Sequence, residues 1–203
     1  MRRRELEIIL EKVRRFSNPD VTLEQYVTPA PVAAEVLHFG SLKGDLNGAV
    51  YDLGCGTGIL AIGAKILGAK KVTGFDVDSS AIEVASENAT DMGVDVEFIC
   101  CDVSEVEGTV NTVVMNPPFG AQVRESDRKF INKAIEVGDV VYSIHNEGSE
   151  EFIKRFISPN IITDRYIVEF PIKRTFKFHK SDTKVINVEV YRIEKKNEGL
   201  KES

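Results

Sequence analysis

What this 203-residue sequence lacks narrows it first. No apolar run approaches the roughly 20 residues that cross a bilayer. After the basic Met1–Arg4, charged and apolar residues alternate where an export signal would carry an unbroken apolar core. The chain is therefore expected neither to span a membrane nor to be exported. Cysteine is scarce. Cys55, Cys100 and Cys101 form no CxxC pair, and two adjacent cysteines make a poor structural disulfide. That implies a reducing, cytoplasmic setting with no structural zinc or other metal. An excess of positive charge is missing too. A net charge of −6 argues against binding nucleic acid over the whole surface.

Two local basic patches remain. One holds Arg2, Arg3, Arg4, Lys12, Arg14 and Arg15; the other holds Lys173, Arg174, Lys177, His179, Lys180 and Lys184. Either alone reads as a solvated face. Together, beside the motif described below, they become candidates for phosphate contacts.

What is present suits one soluble domain with a sizeable core: 42% apolar and 29% charged residues. Leu6, Ile9, Leu10, Val13 and Phe16 recur at helical spacing, so 3–16 is expected to be an amphipathic helix. Thr28-Pro29 resembles an N-cap followed by proline in a first turn, opening a helix to about Phe39. This helical segment, 1–40, precedes repeated strand, turn and helix. Strands are expected at 49–53, 71–75, 94–100, 109–115 and 139–144, with helices at 59–67, 79–92, 127–137 and 149–156. Two late strands, 161–172 and 185–193, lack a helix between them and read as an antiparallel edge pair. The pattern implies one α/β domain over 1–193, a doubly wound, mostly parallel sheet, and a polar tail over 194–203.

The loop after the first strand, Asp52-Leu53-Gly54-Cys55-Gly56-Thr57-Gly58, is rich in glycine. In the dinucleotide fingerprint GxGxxG the third glycine would fall at Ile59. Its displacement to Gly58 points away from a pyrophosphate and towards a ligand with an amino-acid end, such as S-adenosylmethionine. Asp52 and the turn at Gly54 and Gly56 can hold that end. Asp76, next to Val77, closes the following strand, 20 residues beyond Gly56, where a carboxylate can accept both ribose hydroxyls. Asp102, next to Val103, follows the third strand and could reach an adenine amino group.

Asn116-Pro117-Pro118-Phe119-Gly120 follows the fourth strand. An aromatic amine is a poor nucleophile because its lone pair is delocalised into the ring. The Asn116 side-chain oxygen and the Pro117 carbonyl can each accept one of its hydrogens, drawing them out of the ring plane. Prolines keep that carbonyl aimed, and Phe119 offers a face on which a base can stack. Such a site positions an acceptor and needs no ionisable general base.

Taken together these residues resemble class I methyltransferases that methylate amino groups, and within them the methyltransferase-like protein 5 family. Glu24-Gln25-Tyr26 and Thr28 are similar to its entry segment, 141–145 to its VYSLH stretch, and 175–180 to its YKFHK stretch. Asn146 and Thr175 depart from the family pattern. The resemblance implies a seven-stranded fold, N6-methylation of adenosine in small-subunit ribosomal RNA, and a small zinc-containing activator partner on the sheet edge. It also places Gln25, Tyr26 and Thr28 over the cofactor, with Asn116 beside it. Asn116, Pro117 and Phe119 would hold the base, and Lys177, His179 and Lys180 would contact RNA. Three other readings stay open: a DNA adenine methyltransferase, for which 203 residues leave little base-reading mass; a protein glutamine N5-methyltransferase; and a non-catalytic cofactor-binding scaffold.

Overall fold

The computed structural model describes residues 1–15, 27–118, 126–173 and 183–196. Helices α1 (Arg3–Leu10) and α2 (Ala30–Lys43) precede strand β1 (Ala49–Leu53). There follow α3 (Ile59–Ile66), β2 (Lys71–Asp76), α4 (Ser79–Asp91), β3 (Glu97–Cys100), β4 (Val110–Met115), α5 (Ser126–Val137), β5 (Gly138–Asn146) and α6 (Glu150–Ile157). The long strands β6 (Ile161–Lys173) and β7 (Thr183–Glu194) come last. All seven strands join one sheet in the order β3-β2-β1-β4-β5-β7-β6.

The expected fold class is borne out: parallel pairs from β3 through β5, and an antiparallel pair beyond. The last strand is not the edge. β7 inserts antiparallel between β5 and β6, with Ser143 opposite Tyr191, and leaves β6 outermost. β7 also carries through Glu194, into the stretch read as tail, and Lys195 N–H bonds Asp139 O at 2.9 Å.

Helices cover both faces. On one, Leu6 and Leu10 of α1, Val32, Ala33 and Leu37 of α2, and Leu60 and Ile62 of α3 pack against Val50, Val114 and Tyr142 of the sheet. On the other, Ile131 and Ala134 of α5 and Ile153 and Ile157 of α6 pack against Leu53, Val113, Met115 and Tyr191. Neighbours along β4 therefore serve opposite cores, the period-two logic of a strand buried on both sides.

One polar knot lies between these layers. Arg192 of β7 donates to both oxygens of Asp45, at 2.8 and 3.1 Å, to Thr163 Oγ1 at 2.6 Å and to Glu194 Oε1 at 2.7 Å. Tyr142 OH donates to the same Asp45 carboxylate. The turn before β1 is thus tied to β5, β6 and β7.

Candidate active site

Strand order reverses between β1 and β4. In doubly wound sheets the connections on either side of that point leave on opposite faces, and a crevice opens at the C-terminal ends of the strands. Leu53 pairs with Met115 and Phe75, and Asp76 with Cys100. Gly54, Asp76, Asp102 and Asn116 therefore stand on one rim.

The glycine-rich loop is pinned from below, because Gly54 and Cys55 N–H both donate to Phe75 O, at 2.8 and 2.9 Å. Gly54, Gly56 and Gly58 have φ of 70°, 52° and 85°, a region that side chains other than glycine's enter at a cost. At Gly54 a Cβ would also come within 2.9 Å of the Phe130 ring. Phe130 of α5 thus closes against the loop, a contact that no local sequence pattern signals.

Asp52 is fully buried. Its Oδ2 accepts Ala61 N–H at 2.9 Å in the first turn of α3, while Oδ1 has no partner among the described residues. Burial, reinforced by the nearby Asp76 charge, pushes its carboxyl up to about 8 against the bond from Ala61. Asp76 accepts Gly56 N–H at 2.8 Å on Oδ2 and Asp78 N–H at 3.0 Å on Oδ1. Burial raises its pKa too, opposed by those two backbone bonds. Val77, beside it, is 56% exposed, an apolar side chain on the open rim. Asp102 caps a short 3-10 turn, accepting Ser104 N–H at 2.9 Å and the Ser104 hydroxyl, which holds its pKa below the usual range. Val103 is buried beneath it.

Asn116 leaves β4 with its amide held at one end only. Nδ2 donates to Thr28 Oγ1 at 2.9 Å, and Oδ1 is buried with no partner among the described residues. Thr28 is therefore not the N-cap expected of it. Pro29 occupies that position without a side-chain bond, and the hydroxyl of Thr28, a buried residue, serves Asn116. Pro117 is buried next in the chain.

Further along, His145 lies inside β5 with Nε2 against Ser143 Oγ and its ring edge-on to Tyr191. Burial lowers its pKa to about 4, so it is neutral at pH 7, as expected of a satisfied strand histidine. Cys55 is a buried filler whose thiol burial pushes well up.

A methyltransferase small-domain family model matches residues 33–139. The rRNA N(6)-adenosine-methyltransferase Mettl5 of Drosophila melanogaster is 34% identical over 94% of this chain and 95% of its own length. Its zebrafish (Danio rerio) counterpart METTL5 is 32% identical over 95% and 99%. The chain belongs to the Mettl5 family of methyltransferases. The crystal structure of a Pyrococcus horikoshii protein proposed to be an RNA methyltransferase superposes with a TM-score of 0.86 at 42% identity, covering 96% of this chain and 98% of that one.

This methyltransferase uses S-adenosylmethionine, and the residues present fit it. The bare, buried Asp52 oxygen suits a cationic amino-acid end. Both Asp76 oxygens accept backbone N–H bonds, and the lone pairs of a carboxylate leave room for ribose hydroxyls beside them. Gln25, Tyr26, Phe119, Lys177, His179 and Lys180 lie outside the described residues, as does much of the second basic patch. Three of the six cations of the first patch, Arg2, Arg3 and Arg14, are engaged in ion pairs. Arg3 bonds Glu35, and Arg14 bonds Glu87 at 3.0 Å and Asp91 at 2.8 Å. Among the described residues no helix is long and apolar enough to cross a membrane.

Proposed function

We propose that this methyltransferase methylates the N6 amine of adenosine in RNA, and in particular in small-subunit ribosomal RNA. The observation that carries the reading is the Asn116 amide. Its nitrogen is occupied by Thr28, and its bare oxygen stands on the rim where β1 and β4 part. A buried acceptor left without a donor costs about 1–3 kcal/mol. An incoming NH2 group removes that cost.

Bound S-adenosylmethionine supplies an already activated methyl group. The protein's part is placement. Asn116 Oδ1 accepts one N6 hydrogen and the Pro117 carbonyl the other, which releases the amine lone pair towards the methyl carbon. Phe119 stacks on the adenine face and sets its height. The surplus proton leaves to water, so no side chain need titrate. His145, neutral and bonded to Ser143, stays out of the chemistry.

The names of the fly and zebrafish relatives support adenosine in ribosomal RNA as the acceptor. We extend the reading to a small zinc-containing activator. The edge strand β3 offers it Ile99, 38% exposed, in a groove with Tyr51, Phe75 and Val106. The free cysteines suit a reducing cytoplasm.

The test is Asn116→Ala. Transfer to ribosomal RNA should fall at least ~100-fold, with cofactor affinity within a few-fold of the parent. Undiminished transfer would remove Asn116 from the chemistry.

A further inference from the structure

The bond between Thr28 and Asn116 holds an ambiguity that chemistry must resolve. A hydroxyl both donates and accepts. As acceptor it holds Nδ2, the bond present here at 2.9 Å, and leaves Oδ1 unpartnered for the acceptor amine. As donor it would bond Oδ1 instead and turn the amide nitrogen outward, where it would repel an incoming NH2. Which holds depends on where the Thr28 proton goes. If another acceptor takes it, the hydroxyl can only accept from Asn116.

The fold suggests that acceptor. Along the rim the sheet places Asp76 on β2, the Gly54 loop after β1 and Asn116 after β4, in that order. A cofactor whose ribose sits on Asp76 and crosses the Gly54 loop directs its amino-acid end towards β4. Thr28 reaches Asn116 from the residues just before α2, across 88 positions of sequence. The carboxylate of that amino-acid end is an anionic acceptor well suited to one short O–H donor.

We propose that Thr28 is a positioning residue: its hydroxyl donates to the cofactor's carboxylate and thereby accepts only from Asn116, so cofactor occupancy locks the amide in the orientation that receives the amine. The inference rests on the role given to Asn116 above. It makes productive base binding conditional on a loaded cofactor site, through one side chain.

The experiment follows the Asn116 side-chain amide by 1H–15N NMR in the whole protein, with saturating S-adenosylhomocysteine or saturating 5′-methylthioadenosine, which lacks the amino-acid end. S-adenosylhomocysteine should slow exchange of the Asn116 amide hydrogens about tenfold; 5′-methylthioadenosine should leave them near the unliganded rate. Thr28→Val should abolish the difference and Thr28→Ser restore it. In turnover at saturating cofactor, Thr28→Val should lower kcat about tenfold and Thr28→Ser recover most of it. Equal responses to the two compounds, or a persisting lock in Thr28→Val, would overturn the inference. Asn116→Ala separates the two levels. Loss of transfer in Asn116→Ala with normal kcat in Thr28→Val refutes only the role of Thr28, whereas transfer surviving Asn116→Ala refutes the underlying reading.

Discussion

Asp52 gives one carboxylate oxygen to the N–H of Ala61 and keeps the other bare in the protein interior. The first oxygen does what Gly58, the N-cap of α3, has no side chain to do. The second awaits a cation. A carboxyl lifted from 3.8 to about 8 on folding binds its proton more tightly in the native state. Stability then falls as pH rises from the unfolded pKa through the folded one, and the penalty is complete above it. The cofactor-free protein should therefore melt lower at about pH 8.5 than at about pH 5.5, and Asp52→Asn should flatten that part of the slope. Saturating S-adenosylhomocysteine should restore the melting temperature of the parent at high pH and do little for Asp52→Asn. Differential scanning calorimetry across pH reads all three.

Asp76 holds the Gly56 N–H and is also the carboxylate offered to the ribose, so its loss should act twice. Asp76→Ala should weaken cofactor binding by about 10- to 100-fold, the worth of one or two hydrogen bonds to a charged group. Asp76→Asn can still accept from Gly56 but carries no charge, and should fall between. Isothermal titration with S-adenosylhomocysteine measures both; unchanged affinity in Asp76→Ala would place the ribose elsewhere.

Gly54 combines a φ of 70° with the Phe130 ring at its open side. Gly54→Ala should cost about 1–2 kcal/mol of stability from the backbone conformation alone, with more from the ring. Adding Phe130→Leu should recover the ring's share and not the backbone's, giving a partial rescue of the melting temperature. Full rescue would mean that the left-handed turn is not required.

Arg192 and Asp45 form a largely buried bidentate pair that holds the turn before β1 against β7. Removing one partner leaves the other charge buried, at about 3–5 kcal/mol. Arg192→Ala should unfold at markedly lower denaturant. In protein that remains folded, cofactor affinity should match the parent's, since neither side chain is among those assigned to the cofactor.

The sequence was most legible where its signals are local. Alternation of strands and helices, the glycine-rich loop and Asn116-Pro117-Pro118 each sit within a few residues, and element limits differ mainly by short end shifts. The largest shift is in α1, which ends at Leu10 where a helix to 16 was expected; α2 runs on to Lys43, past Phe39, and β3 begins at Glu97 where 94 was expected. Less legible were contacts between distant segments. Thr28-Pro29 satisfies cap chemistry locally, yet the hydroxyl's partner is Asn116, 88 residues away. The N-terminal arginines read as a free basic patch because Glu35, Glu87 and Asp91 lie far off in sequence. Phe130 carries no motif, and only the packing of α5 brings it to Gly54. The insertion of β7 between β5 and β6 follows from pairing across the sheet, which hydrophobic alternation does not encode.

The most direct test of the central claim is a transfer assay with isotopically labelled S-adenosylmethionine, offering ribosomal RNA, duplex DNA and a protein extract in parallel. Each product is digested to nucleosides or amino acids and identified by mass spectrometry. The account predicts labelled N6-methyladenosine from the RNA, with no comparable label in the other two. Label in a glutamine side chain, or N6-methyladenine from DNA with none from RNA, would contradict it.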